Sequence, residues 1–376
     1  MTGGTRTRRL AARVLREPAP PPGAGRLRYA VIGAGSVART HLREVAGRAG
    51  VAVVGMADPA DPRRWRAQHD GAPRFGDPAR MLAETRPHLV SICTPTKFHH
   101  ELTLLALRAR AHVICEKPMA MTVAEAEEME RARAATRRLG AVNFSYRNAP
   151  ALRYARALVA GGEIGRVTRV RGAYLQSFLA APDSGWTWRS DVELAGYGAL
   201  GDLGVHLIDA ARFVTGLEFE RVIGVKQTLI AEKRDGAGTA RRVTSDTTAS
   251  FLAALGDGVT ATFETSQVVA GYGDSFRLEV SGDGGTLIVD SERDGEIRLL
   301  SGEALERRAT WTTDIPARAL PADLALSGAP ASPGAIVEAL RGERVEFPTF
   351  ADGVAAQRVL GALLESTRTG SWSAVG

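Results

Sequence analysis

Two short stretches of this chain place residue types suited to acid–base chemistry at informative spacings. The first is Cys115-Glu116-Lys117-Pro118, at the carboxyl end of an apolar run. Lysine is scarce here: of the 48 basic side chains only Lys97, Lys117, Lys226 and Lys233 are lysine. A lysine kept at such a position in an arginine-using chain suits work that needs a compact ammonium or a tunable pKa, although a solvated lysine in a turn would read the same way. The second stretch is Gly198-Ala199-Leu200-Gly201-Asp202-Leu203-Gly204-Val205-His206-Leu207-Ile208-Asp209. If it is helical, Asp202 and His206 lie one turn apart on one face. The imidazole can then accept a hydroxyl proton near neutral pH, and the carboxylate would fix its tautomer and stabilise the imidazolium. A buried histidine beside a helix-capping aspartate is the structural alternative. Metal chemistry is not expected, because His99 and His100 are adjacent rather than at helical ligand spacing and the sequence holds no Cys/His cluster.

The elements that must carry these groups follow from hydrophobic periodicity. Between Leu27 and Tyr146, apolar strand runs (28–32, 51–56, 89–93, 112–115 and 141–146) alternate with helical patterns (36–48, 99–108 and 123–139). That alternation predicts a doubly wound, parallel α/β sheet. Lys117 then stands past the carboxyl end of a strand, where ligands of open α/β sheets bind. The first strand runs into Gly33-Ala34-Gly35-Ser36-Val37-Ala38, a G-x-G-x-x-A turn at a helix start. Gly33 permits the tight turn, Gly35 lets backbone N–H groups approach a pyrophosphate, and Ala38 lets helix and strand pack closely. About 20 residues on, Asp58 ends the second strand, where a carboxylate would accept hydrogen bonds from an adenosine ribose diol and repel a 2′-phosphate. NAD is favoured, with NADP left open because Arg63 and Arg64 follow closely. A methyltransferase could use the same first turn, but it would leave Lys117, Asp202 and His206 without a task.

After Pro150 a helical stretch (152–160) ends at Gly161-Gly162, and the pattern changes to alternating runs at 167–178, 222–230, 244–254, 259–268, 276–280 and 286–289. Glycine–aspartate turns separate several of them, so an open, largely antiparallel sheet is expected, with a last helix over 351–366. A length of 376 residues suits two domains. The net charge of +6 lies in the first 28 residues, which carry seven arginines against Glu17 alone. A neutral body argues against a nucleic-acid partner, which would need positive charge spread over a folded face. Arg8-Arg9 lacks the apolar region of an export signal, and the proline-rich run to Gly25 suits a disordered leader. No stretch resembles a membrane span. Cys93 and Cys115, each at the end of an apolar run, point to neither a disulfide scaffold nor zinc, and fit a reducing cytoplasm.

Taken together, the motifs resemble the glucose–fructose oxidoreductase, inositol dehydrogenase and rhizopine-catabolism (Gfo/Idh/MocA) family over nearly the whole chain after the leader. The resemblance is carried by Gly33 to Ala38 with His41 following, Thr94-Pro95-Thr96-Lys97-Phe98-His99, Glu116-Lys117-Pro118 and Tyr146-Arg147-Asn148-Ala149-Pro150. Gly165, Trp188-Arg189, the Gly198 to Asp209 stretch and Phe350-Ala351-Asp352-Gly353 complete it. It implies a Rossmann domain over residues 27–147 and, over 148–376, an α/β domain whose open sheet assembles homodimers or homotetramers, with residues 1–26 as the leader. It also implies nicotinamide bound between the domains. Lys117, Asp202 and His206 would form the reaction centre; Thr94, Pro95, His99, Glu116 and Lys117 would line the cofactor together with the glycine turn, Asp58 and Arg63; Arg147 and Trp188 would join the three central residues around the substrate.

The expected activity is hydride exchange between NAD(P) and a secondary alcohol or ketone of a sugar or cyclic polyol. In it His206 takes the hydroxyl proton, Asp202 orients the imidazole and Lys117 stabilises the alkoxide. Two other readings share the resemblance: glycosidic cleavage through transient oxidation by tightly held NAD, and a non-catalytic regulator that binds dinucleotide and sugar. The intact Lys117, Asp202 and His206 count against the regulator. Two features depart from the family pattern, the basic leader and Tyr197, which stands where a third glycine usually leads into the catalytic helix.

Overall fold

The computed structural model describes residues 26–60, 62–181, 184–293, 297–300, 302, 313–315 and 333–376, so the expected leader lies outside them except for Arg26. Six parallel strands build the first sheet: β1 (Leu27–Ile32), β2 (Val51–Ala57), β3 (Arg74–Phe75), β4 (Leu89–Ile92), β5 (His112–Cys115) and β6 (Gly140–Val142). Their spatial order is β3-β2-β1-β4-β5-β6. β4 and β5 are buried at every residue, which is why they read as unbroken apolar runs rather than alternating ones. The strand order turns back between β1 and β4, and a crevice opens at their carboxyl ends.

Helices α1 (Ser36–His41), α2 (Pro78–Thr85), α3 (His99–Arg108) and α4 (Val123–Thr136) connect these strands. The helix expected over 36–48 is split, because α1 passes into a π-helical segment, Leu42–Ala46. α2 went unread despite the N-cap Asp77 and a proline at its first turn, since eight residues carry too little periodicity. The strand expected over 141–146 stops at Val142, and a 3-10 turn, Ser145–Asn148, leads into α5 (Pro150–Gly161). A short apolar run alone does not distinguish a strand from a buried turn.

Among the described residues the second sheet has nine strands: β7 (Val167–Gln176), β8 (Phe219–Gln227), β11 (Thr248–Leu255), β12 (Val259–Ser266), β13 (Asp274–Gly282), β14 (Thr286–Asp290), β15 (Ile297–Leu300), β16 (Thr313–Ile315) and β17 (Ser373–Ala374). Their order is β16-β15-β14-β13-β7-β12-β11-β8-β17. All neighbours are antiparallel except β7 and β12. Along β11, Ala249, Phe251, Ala253 and Leu255 are buried while Ser250 and Leu252 are exposed, so one face of the sheet is covered. Three helices pack onto it: α5, α7 (Val205–Thr215) and α9 (Phe350–Thr369). A short helix, α6 (Val192–Ala195), precedes α7, and β9 (Glu232–Arg234) with β10 (Ala240–Arg242) forms a separate hairpin.

The end of the chain returns to the first sheet. Ala335, Ile336, Val337 and Leu340 of α8 (Ala335–Leu340) pack in the same core as Tyr29, Val31 and Leu89, and Glu338 pairs with Arg48. Thr349 bridges Ala141, and α9 then packs on both α4 and β8. These ties hold the two halves around the crevice. Among the described residues no helix is long and apolar enough to cross a membrane.

Candidate active site

A cleft of about 630 Å³ opens at the crevice between β1 and β4. Gly33, Gly35, Ser36, Val37, Asp58, Thr94, Pro95, Glu116 and Lys117 line it from the first half, and Trp188, Arg189, Tyr197 and Asp202 from the second. Gly33 has φ +90°, and a Cβ there would lie 2.6 Å from the Cys93 carbonyl oxygen, so only glycine fits the turn. Above Gly35 the space is open. Asp58 accepts hydrogen bonds from the backbone N–H of Ala34 at 2.8 Å and of Ala60 at 2.8 Å, which pins the carboxylate beside the glycine turn. Ala38 is fully buried and packs beneath the turn rather than lining the cleft.

The hydroxyls of Thr94 and Thr96 are buried in the cleft wall without a hydrogen-bond partner. Each such orphan costs about 1–3 kcal/mol unless something in the cleft satisfies it. Glycine-turn amides, an anchored carboxylate and unpaired hydroxyls along one groove fit a dinucleotide.

Two residues expected at the cofactor are not among the described residues that line the cleft. His99 is buried, with its Nε2 2.9 Å from the Thr94 carbonyl and its Nδ1 2.9 Å from that of Pro118, so it ties the two cofactor-side loops together. Arg63 lies in the 3-10 turn Pro62–Arg64 after Asp58 and is not among the described residues that line the cleft.

The reaction-centre residues meet where the two halves face each other. Lys117 Nζ donates to the main-chain oxygen of Asp202 at 2.7 Å and to its Oδ1 at 2.8 Å. Asp202 Oδ2 accepts from Gln267 Nε2 at 2.8 Å, and Arg189 Nε lies 3.6 Å from Oδ1. Burial alone would raise the Asp202 pKa, but Lys117 and Arg189 hold it well below the usual carboxylate range. The carboxylate is thus occupied by the lysine and the amide, and the expected hydrogen bond from the His206 imidazole to Asp202 is not formed. An ammonium outcompetes a neutral imidazole as donor to a carboxylate.

His206 sits in the first turn of α7, 6% exposed, with its ring against Tyr146 at 5.0 Å and Tyr174 at 6.2 Å between centroids. Its Nδ1 is buried without a partner. Burial, then the Lys117 charge, lowers its pKa to about 3, so the imidazole is neutral near pH 7. His206 follows Asp202 by one helical turn, and it is not among the described residues that line the cleft.

The approach to this helix is fixed from a distance. Asp246 accepts from the backbone N–H of Gly198 at 3.0 Å and of Leu200 at 2.8 Å, a carboxylate at a helix start. A Cβ on Gly198 would fall 1.6 Å from the Asp246 carbonyl oxygen, so this glycine is obligatory. One π-helical turn, Leu200–Gly204, then carries Asp202 into α7. Tyr197 lines the cleft, and its hydroxyl accepts from Gln357 Nε2 at 2.9 Å and donates to the Met121 carbonyl at 3.4 Å.

Arg147, expected around the substrate, is not among the described residues that line the cleft. Its Nε and Nη2 clasp Asp209 at 2.8 and 2.5 Å, and Nη2 also reaches Asp352 at 3.0 Å. With Nε and Nη2 held by two carboxylates and 6% of its surface exposed, it ties α7 to α9. Trp188 does line the cleft, with the Arg189 guanidinium 4.4 Å from its ring centroid. Gln267 and Asp246 were not foreseen. They come from the segments just before β11 and just after β12, far along the chain, and no local spacing links them to Asp202 or Gly198.

Residues 27–144 match the oxidoreductase family with an NAD-binding Rossmann fold, and residues 152–288 match the GFO/IDH/MocA C-terminal domain. The chain is 30% identical over 334 residues to the levoglucosan dehydrogenase of Pseudarthrobacter phenanthrenivorans, covering 81% of this chain and 85% of that protein. The crystal structure of an oxidoreductase domain protein from Kribbella flavida superposes with a TM-score of 0.84 at 30% identity, over 94% of this chain and 100% of that one. A levoglucosan dehydrogenase in complex with NADH and L-sorbose gives 0.82 at 28% identity, over 94% and 99%.

Proposed function

This chain belongs to the Gfo/Idh/MocA family of NAD-binding oxidoreductases, and on that premise we propose that it exchanges a hydride between NAD and a secondary hydroxyl of a sugar or cyclic polyol. When bound, the nicotinamide supplies or accepts that hydride. Gly33, Gly35, Ser36, Asp58 and Thr94 would hold the dinucleotide, and the anchored Asp58 carboxylate disfavours a 2′-phosphate. His206, neutral near pH 7, takes the hydroxyl proton during oxidation and returns it during reduction. Lys117 stabilises the developing alkoxide, and Asp202 holds its ammonium in place.

One observation carries the reading. An ammonium has three N–H donors, and two of those on Lys117 are bound to Asp202, which leaves the third at the cleft wall. The sugar class is supported by the similar levoglucosan dehydrogenase and by the aromatic ring of Trp188 in the cleft wall.

The test is the absorbance at 340 nm with NAD and with NADP across a panel of sugars, anhydrosugars and cyclitols. Turnover of at least one sugar or cyclitol with a preference for NAD is expected; a flat trace throughout contradicts the reading. Further parts of the proposal are a division into units near Arg147 and Asn148, and a homo-oligomer formed through the uncovered sheet face, where Val225 and Leu252 are exposed. The buried free thiols of Cys93 and Cys115 suit a cytoplasmic location.

A further inference from the structure

Glu116 precedes Lys117 in the cleft wall, yet its buried partners have no part in the proton and hydride steps above. His41 closes α1 with 0% exposure; its Nε2 lies 2.8 Å from Glu116 Oε1 and its Nδ1 2.9 Å from Ser91 Oγ. The Tyr29 hydroxyl donates to Ser91 Oγ at 2.7 Å, Asn143 Nδ2 donates to Glu116 Oε1 at 2.5 Å, and the Lys117 backbone N–H lies 3.3 Å from Glu116 Oε2. With the imidazole neutral, Ser91 donates to Nδ1 and Nε2–H to Glu116; with it charged, both ring nitrogens donate. In either state Nε2–H points at the carboxylate. A chain of donors from β1, β4 and α1 therefore converges on one anion.

A carboxylate more than nine-tenths buried is ordinarily driven toward its neutral form. Here burial is overcome by the hydrogen bond from His41, its charge and the Asn143 amide, which bring the Glu116 pKa down to about 2. If packing were the only need, apolar side chains of similar volume would serve as well as this pair. The arrangement is also not sealed. Glu116 borders the cleft at the Lys117 end, away from Asp58, and the ring that exchanges the hydride must sit at the end where Lys117 and His206 act. The other charges facing that end, Lys117, Asp202 and Arg189, are paired with one another within the cleft wall, whereas the cation that pairs with Glu116, His41, is fully buried and not part of the cleft lining, so at this point the carboxylate is the charge nearer the cleft.

We propose that the His41–Glu116 couple is an electrostatic selector, holding a fixed carboxylate that favours the positively charged oxidised nicotinamide over the neutral reduced one. This rests on the dinucleotide reading above and deepens it. His41 is a positioning residue in this scheme, acting through Glu116.

The dissociation constants of NAD+ and of NADH, measured separately by calorimetry on wild type and Glu116→Gln, test it. Glu116→Gln is expected to weaken NAD+ about tenfold and leave NADH within about twofold, the order expected for unit charges a few ångströms apart in a partly solvated site. His41→Leu, which removes the main donor, shifts the ratio of the two constants in the same direction, while His41→Gln, which keeps one, restores it. An unchanged ratio in folded Glu116→Gln or His41→Leu protein overturns the selector, as does equal weakening of both nucleotides. Wild type that binds neither nucleotide would instead overturn the dinucleotide reading itself, so the two failures are told apart.

Discussion

The Lys117–Asp202–Gln267 cluster and the Arg147–Asp209–Asp352 cluster are built from similar parts, a cation from the first part of the chain and carboxylates from the second. Both are largely buried and both join distant segments. They differ in what is left over. Nε and Nη2 of Arg147 are bound to Asp209 and Asp352, Asp352 in turn caps α9 through Thr349, and none of the three is among the described residues that line the cleft. Lys117 keeps one N–H for the cleft, and His206, one turn beyond Asp202, keeps an unpartnered ring nitrogen. Spare hydrogen-bonding capacity at a cleft, rather than residue type or burial, separates the reactive cluster from the structural one.

Swapping the consequences of the two clusters would break that distinction. Lys117→Ala should lower kcat/KM by about 10³-fold or more while the thermal midpoint stays near wild type, because removing it uncovers a carboxylate at an accessible cleft rather than in a sealed core. His206→Ala should lower kcat by about 10²- to 10⁴-fold with NAD affinity unchanged, as steady-state kinetics and calorimetry together would show. Arg147→Met should do the reverse: a loss of about 3–5 kcal/mol in urea unfolding, with near-normal kcat in the fraction that remains folded. If Arg147→Met instead stays stable and loses turnover, the two clusters have been assigned the wrong way round.

Subtler changes sharpen the contrast. Gln267→Leu leaves Asp202 its lysine but removes the amide that fixes the second oxygen, and a fall in kcat of about tenfold is expected, the loss of roughly one neutral-to-charged hydrogen bond. The smallest effect is an absence of one. Because burial and Lys117 lower the His206 pKa to about 3, the base is already deprotonated above about pH 4, and the oxidative kcat/KM should show no acid limb near pH 6.5. A limb there that vanishes in His206→Ala would mean the imidazole is far better solvated than its position between Tyr146 and Lys117 allows.

The sequence carried the first sheet well because buried parallel strands are continuous apolar runs, and the G-x-G-x-x-A turn with Asp58 located the cleft. Lys117 stood out by its scarcity and its place after β5. The partner of Asp202 did not, since Lys117 and Gln267 are brought to it by the meeting of the two halves and a four-residue spacing favours His206 by proximity alone. Arg147 misled for a related reason: a motif names the residue but not the direction of its donors, and Asp209 and Asp352 consume them only once α7 and α9 are packed. The return of α8 to the first core is a long-range contact with no local signature.

The most direct test of hydride transfer at this centre is to follow deuterium from a substrate sugar labelled on its reacting carbon. The mechanism predicts slower turnover and deuterium at C4 of the reduced nicotinamide, in wild type and at a much lower rate in His206→Ala. Product formed with the label released to water, or with no label on the nicotinamide, would contradict it.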